Sequence, residues 1–398
     1  MKTKLFITFM ALNIVFSLAT IPAVAAEKEL KVGCAVAFTG PASVVGHAFK
    51  NGAQLVADYY NKKGGLRVGE DTYKITIIDA DTKFTPEGAI TAARRLVERE
   101  KVHMILGPIA TPQYMAVQSV TEPARIPILH TASADVAIKD KKYTFRAYIP
   151  VRETLPGIFK WLEKNRPKVK KLALFDMDYE SGYFGHKLAQ KMADIKGFNV
   201  VYDGYYDPGT KDFNSYLLKI LSKKPDAIFN TQSPYAEWPL IIKHAREMGY
   251  KGLFIEAMPP AVTDNKKIAG LENLQGLVGF GYTTEGDLVP QGLKDFRKQY
   301  VEKYGDWSAH SLVMTPAIYG FFGAVEKAGS LDPDKIVKAL ESGDEWKTPL
   351  GITGIFGGSE TYGAPRQWLA PVWAMVVEGD KAIPVAEIPI TEMKGGWE

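Results

Sequence analysis

The 398-residue chain has one cysteine, so no internal disulfide is open to it, and Cys34 reads as a small apolar filler of the first strand. Its six histidines, His47, His103, His130, His186, His244 and His310, include no HExxH pair and no close doublet, which with the lone thiol argues against a metal centre. No P-loop occurs, the glycines of GFGYTTEG at 279–286 do not complete a dinucleotide fingerprint, and no GxSxG elbow is present. Neither a cofactor nor an enzyme is therefore expected. Asp79 and Asp81 can be imagined as paired catalytic carboxylates, but they fit better as strand-end residues that solvate a turn. Charge of one sign is also scarce. The net +4 falls near +2 once Lys2 and Lys4 are set aside, too little to draw the chain to nucleic acid or a membrane surface.

Only the N-terminus carries a long uncharged run. Lys2 and Lys4 precede Leu5–Ala26, which has no charge and ends in the small-x-small pattern Ala23-Val24-Ala25. The pattern predicts an export leader over residues 1–26, cleaved after Ala25 or Ala26, and a periplasmic product. A retained anchor is the alternative, disfavoured by Asn13, Ser17 and Pro22 within the run. With 46% hydrophobic and 24% charged residues, the remainder is ordinary globular material long enough for about two domains.

What is abundant is a regular alternation. Short β-rich runs at Lys74–Ile78, Val102–Leu106, Ile126–Leu129, Leu172–Phe175, Val200–Tyr205, Ala227–Phe229, Leu253–Ile255 and Leu277–Val278 are separated by helical patterns. The clearest helix spans Thr85–Glu100, with Thr85 as cap, Pro86 at the first position, and Ile90, Ala93, Leu96 and Val97 on one face. Helices at Tyr183–Lys196 and Ala236–Met248 run into Gly197 and Gly249, which suit left-handed C-caps. Such alternation specifies parallel sheets with helices on both faces, here two of them. A break is expected near Arg146–Pro150, before a helix starting about Thr154. Helices at Gln291–Tyr304 and Ser311–Ala328 carry too few strands to form a domain and are expected to return to the first lobe, making a hinge. The expected division is 27–148 and 280–350 in the first lobe, with 149–279 and 351–398 in the second.

The segment Lys31–Gly65 combines a buried strand, a Gly-Pro turn, an amphipathic helix and a glycine stop. It places unpaired amides at the carboxyl end of a parallel strand, where ligands collect in open α/β sheets. The first loop is thus half of a candidate binding site.

The ordered blocks VGCAVAFTGPASVVGHAFKNGAQLVADYYNKKGG, ITIIDADTKFTPEGAITAARRLV, VHMILGPIATPQ, FRAYIP, KLALFDMDYESGYFGHKLA, YYDPGTKDFNSYLLKI, PDAIFNTQSPYAEWPLIIKHAREMG and LENLQGLVGF resemble the periplasmic branched-chain amino-acid binding proteins. These are type I solute-binding components of ABC importers. The resemblance implies an α/β fold of two doubly wound parallel-sheet lobes joined by a hinge with three crossings. It also implies a small carboxylate ligand clamped in the cleft, a membrane permease as partner, and no cofactor; a monomer is expected. Carried onto this sequence, the family's carboxylate-binding positions fall at Thr111, Thr131 and Ser133, although each hydroxyl alone equally suits a turn or cap.

The acidic positions with which the family neutralises an ammonium fall, ungapped, at Val151 and Met258. Burying an uncompensated ammonium costs several kcal/mol, roughly, so the expected ligand is an aromatic or hydrophobic acid without an α-amine. Glu153 and Glu256 would replace the missing acids if the register slipped by two, which keeps branched-chain or aromatic amino acids open as ligands, and small amide or urea-type solutes remain a third class. Tyr179, Tyr183, Phe184, Tyr235, Trp238 and Tyr282 fall in loops at the carboxyl edge of the second lobe, as cleft wall or as core packing. Arg152 at the hinge is a candidate bidentate partner for a carboxylate or a solvated surface residue. A transport receptor is expected over a sensor module or an enzyme using the same cleft.

Overall fold

A computed structural model describes residues 28–40, 42–132, 135, 138–231 and 236–393. The expected leader, Ser133 and Tyr235 lie outside the described residues. Two sheets organise the chain. In the first, the order from edge to edge is Trp346–Lys347, Thr353–Gly357, Gln367–Leu369, Thr144–Arg146, Ile128–His130, Met104–Leu106, Lys28–Val36, Asp71–Asp81 and Leu66–Val68. Lys28–Val36 pairs in parallel with neighbours on both sides and is buried along most of its length, as its continuous apolar run requires. In the second sheet the order is Lys381–Ile388, Val372–Glu378, Val278–Gly281, Leu253–Glu256, Ala227–Asn230, Lys171–Met177 and Asn199–Tyr206. Its last two C-terminal strands are antiparallel additions to a parallel centre.

The chain leaves the first sheet after Arg146, leaves the second after Gly281, and leaves the first again between Leu369 and Val372. This corrects the expected third boundary at 350. Thr353–Gly357 and Gln367–Leu369 form a hairpin whose second strand runs parallel to Thr144–Arg146, with Gln367 opposite Arg146, and it remains in the first lobe. Its short runs, broken by glycine and proline, hide that pairing from the sequence. The physical anchor is Trp368, fully buried and edge-on to Phe356 at 5.3 Å.

Local signals explain the helices. The Thr85 side chain accepts the Gly88 amide at 3.0 Å, capping Pro86–Arg94. The expected single helix then widens into a π-helix at Arg95–Glu100 and stops at Lys101, whose φ is 57°. Gly249 has φ 86°, and the amides of Gly249 and Tyr250 close onto the Arg246 and Ala245 carbonyls at 2.9 Å, a left-handed C-cap of the helix Glu237–Glu247. The helix Ser43–Lys62 lies hard against the end of the first strand: a Cβ on Gly46 would stand 1.9 Å from the Ala37 carbonyl oxygen. That approach fixes the loop between them.

Candidate functional site

Several donors of the first loop are satisfied within the chain. Asp81, at the end of its strand, accepts the Phe38 amide at 2.9 Å, the Thr39 hydroxyl at 2.6 Å and the Lys83 amide at 2.8 Å. Burial alone would raise its pKa, but these donors outweigh it and hold the carboxyl below its ordinary value. Donors expected to await a ligand anion in the first loop are thus already turned to a carboxylate of the chain. Thr111 begins the helix Thr111–Thr121 and is buried, with no hydrogen bond to its hydroxyl among the described residues. Thr131 follows the adjacent parallel strand and is also buried, but its hydroxyl donates to the Ile109 carbonyl at 3.3 Å. The two threonines therefore share one shelf, and of the two hydroxyls only Thr111's is uncommitted there.

A cavity opens where the three crossings converge. It encloses about 880 Å³ of empty space, mouth included, between the first crossing at Tyr148 and Ile149, the second at Phe280–Tyr282, and Val372 of the third. The first lobe contributes Ala309, His310, Leu312 and Val313; the second contributes Trp238, Met258 and Pro259. Most of this wall is apolar, which suits a small hydrophobic guest. Tyr282 is fixed by its hydroxyl, which accepts the Trp368 Nε1–H at 3.2 Å. No lysine or arginine lines the cavity among the described residues.

Glu256 is the one carboxylate in that wall among the described residues, beside the polar side chains of Tyr148, Thr154, Asn265, Tyr282 and His310. It ends the strand Leu253–Glu256 and is buried, and its Oε1 has no hydrogen-bond partner among the described residues. Desolvation pushes its pKa up to about 8, so the carboxyl is mainly neutral at pH 7. Across the cavity His310 is also neutral, held down to about 4 by burial against the pull of Asp264. Glu256 appeared in the sequence only as a substitute acid two residues out of register. Tyr148, Asn265 and His310 on the same wall carried no sequence signal.

The remaining expected site residues point elsewhere. Arg152 does not line this cavity and is partly exposed: its Nε and Nη2 bind Asp135 Oδ2 at 3.0 and 2.6 Å, and the guanidinium stands 5.6 Å from the Phe184 ring centroid. Phe184 is half-buried against the core. Tyr183 turns outward, 39% exposed, with its hydroxyl on Asp178 and its ring against Tyr205 at 4.7 Å. Tyr179, also 39% exposed, does not line the cavity. Glu153 does not face the cavity either; it accepts the Tyr362 hydroxyl within a buried network at the hinge.

One buried cluster positions a second-lobe loop. Asp176 accepts the Thr231 amide at 2.7 Å and its hydroxyl at 2.9 Å, and lies 3.0 Å from His186 Nδ1; His186 Nε2 meets Asp203. Burial opposes charge on His186, but the hydrogen bonds and charges of the two aspartates prevail and raise its pKa above 6.5. Because the folded value exceeds the unfolded one, this contribution to stability is fully present below pH 6.5 and is lost as pH rises through the raised value. Urea titrations are expected to show stability declining over that interval, with a flatter profile in His186→Asn. An equal slope in both proteins would contradict the assignment.

Two α/β lobes, three crossings and a ligand-sized cavity at the hinge define a solute-binding protein. The family model described as periplasmic binding protein matches residues 29–378, and the chain belongs to that family. It is 27% identical over 357 residues to the Leu/Ile/Val-binding protein homolog 8 of Brucella abortus (strain 2308), covering 84% of this chain and 85% of the relative. In fold it is similar to the branched-chain amino acid transporter substrate-binding protein LivJ of Streptococcus pneumoniae, solved with isoleucine, at TM-score 0.76 and 21% identity over 91% of this chain and 99% of that one. It is likewise similar to an ABC-transporter solute-binding protein of Rhodopseudomonas palustris BisB5, solved with 3,4-dihydroxybenzoic acid, at TM-score 0.75 and 23% identity over 92% and 98% of the two chains. The two solved relatives thus hold chemically different guests in one fold. Among the described residues no helix is long and apolar enough to cross a membrane, and no cluster of His, Cys, Asp or Glu is arranged to hold a metal ion.

Proposed function

We propose that this chain is an exported receptor of an ABC importer that captures a small aromatic or hydrophobic carboxylate without an α-amine and delivers it, unchanged, to a membrane permease. The observation that carries this reading is the hinge cavity, apolar on most of its wall and walled by Tyr282, Met258 and Trp238. The acid's carboxylate would face the first lobe, where Thr111 and Thr131 share a shelf, and its flat body would lie against the cavity wall. Contacts made with both lobes at once favour the closed state, so the ligand drives closure by population shift. Export with loss of the leader, action as a monomer and the absence of catalysis belong to the same reading.

A thermal-shift screen tests it. A ligand at a hundred times its dissociation constant stabilises the native state by about 2.7 kcal/mol. Benzoate-class acids are expected to raise the melting temperature and leucine to leave it unchanged; the reverse overturns the amine-free reading. Thr111→Val is expected to weaken every acid by roughly tenfold or more, the worth of one charge-assisted hydrogen bond. A second reading has a specific basis: a buried carboxyl at Glu256 would also pair with an ammonium, as an amino-acid ligand similar to that of the isoleucine-bound relative would require.

A further inference from the structure

The cluster around His186 asks more of its imidazole than a neutral ring can give. His186 is buried on the helix Glu180–Ile195, and each ring nitrogen faces a carboxylate on a different strand: Nδ1 lies 3.0 Å from Asp176 on Lys171–Met177, and Nε2 lies 2.5 Å from Asp203 on Asn199–Tyr206. A neutral imidazole carries one N–H, so one of the two carboxylates would then face a lone pair; only the imidazolium donates to both. The two carboxylates differ in what else they hold. Asp176 is fully buried and accepts the Thr231 amide and hydroxyl, whereas the Asp203 side chain is 44% exposed and accepts Gln190 Nε2 at 3.1 Å.

We infer that His186 is a pH-operated clamp: as an imidazolium it ties its helix to two strands of the second sheet, and on losing a proton it keeps Asp176 and lets go of Asp203. The order of release follows from solvation. Asp176 without its imidazole donor would be a buried carboxylate stripped of a charge-assisted hydrogen bond, while Asp203 turns to water at little cost. The remaining proton therefore stays on Nδ1, the departing one leaves from Nε2 to solvent beside Asp203, and the anchor of Thr231 is untouched. The strand that loosens is Asn199–Tyr206, because it forms the edge of its sheet and pairs on one side only, with Lys171–Met177. The second lobe thereby gains an edge whose hold on the neighbouring helix depends on the acidity of the surroundings, a property independent of which guest the hinge cavity takes.

The other groups around the ring do not titrate in its place. Tyr205, on the same strand as Asp203, has its ring centroid 4.4 Å from that of His186, and burial followed by the nearby aspartates pushes its hydroxyl up to about 12. Tyr183, one turn back on the helix, packs on Tyr205 at 4.7 Å and hydrogen-bonds Asp178, which raises its hydroxyl as well. Gln190 and Thr231 are neutral. On the first helix of the second lobe, Arg152 meets Phe184 and Asp135 rather than the histidine. Burial opposes charge on His186 and the two aspartates overcome it, so the ring gives up its proton above pH 6.5.

Nitrogen NMR of the isotope-labelled full chain, with the His186 ring assigned through its backbone, tests the inference. At about pH 6 both ring nitrogens are expected to carry a proton, and the titration midpoint is expected to lie above the ordinary histidine value. Asp203→Asn is expected to lower that midpoint by about one pH unit or more, as removal of a contacting opposite charge does. Through the wild-type titration the backbone amide signals of Asp203 and Tyr205 are expected to move with the ring, and that of Thr231 to stay in place. A ring with one bare nitrogen at about pH 6, a midpoint unmoved by Asp203→Asn, or a Thr231 amide that shifts while the strand stays still overturns the inference. Should Asp203→Asn fail to fold, the protonation of both nitrogens and the comparison of the strand with Thr231 in the wild type decide it.

Discussion

Replacing Arg146 with leucine is expected to destabilise the chain by about 3–5 kcal/mol, the usual cost of removing one partner from a buried charge network. Arg146 is fully buried at the end of the last first-lobe strand before the first crossing. Its Nε donates to Gln367 on the returning hairpin, its Nη2 donates to the Tyr362 hydroxyl at 2.6 Å, and that hydroxyl donates to Glu153 on the first helix of the second lobe. Asp135 lies 4.0 Å from Arg146 and also binds Arg152. Two cations and two carboxylates thus tie both lobes at the hinge. Burial raises the pKa of Glu153 against the attraction of Arg146, so without the arginine that carboxyl must either take up a proton or remain as an unpaired charge. Denaturant titration of the single variant and of Arg146→Leu/Glu153→Gln reads the coupling directly: the double variant is expected to recover part of the loss. A loss below about 1 kcal/mol in the single variant would show that the network does not hold the hinge.

Trp368→Ala is expected to cost about 3–5 kcal/mol, typical of deleting a large buried ring. The indole packs so closely over the backbone of Gly320 and Gly354 that a Cβ on either would stand 2.5 or 2.2 Å from it. It also donates to Tyr282, which lines the cavity, so this variant strips the second crossing of its brace. Trp368→Phe separates the two roles. It keeps most of the ring volume and leaves the Tyr282 hydroxyl without its indole donor in a buried site, a loss of about 1–3 kcal/mol. Weaker acid binding is expected to accompany that smaller loss, because Tyr282 is then free to leave its place on the wall. Unchanged affinity in a folded Trp368→Phe protein would count against Tyr282 as a ligand contact.

The alternation of strands and helices was legible because each signal was local. Thr85 caps through a residue three positions away, and Gly249 ends its helix through φ alone. Cys34 is buried in the first strand, as a lone apolar-flanked thiol should be. Trp238 and Tyr282, expected at the carboxyl edge of the second lobe, and Met258, singled out by the family register, all line the hinge cavity. What escaped the sequence depends on pairings over long separations. Arg152 looks like a free guanidinium until Asp135 is brought beside it, and the hairpin ending at Leu369 looks like second-lobe tail until Gln367 meets Arg146. Tyr183 follows a strand just as Tyr282 does, yet Asp178 and Tyr205 turn it outward. Glu256 and His310 come together only because the lobes fold over each other at the hinge.

A crystal structure of the chain grown with 4-hydroxybenzoate tests the central claim most directly. The account predicts one molecule of the acid per chain in the hinge cavity, its ring against Tyr282 and Met258. A cavity left empty by the acid but filled by leucine, with an ammonium on Glu256, would contradict it.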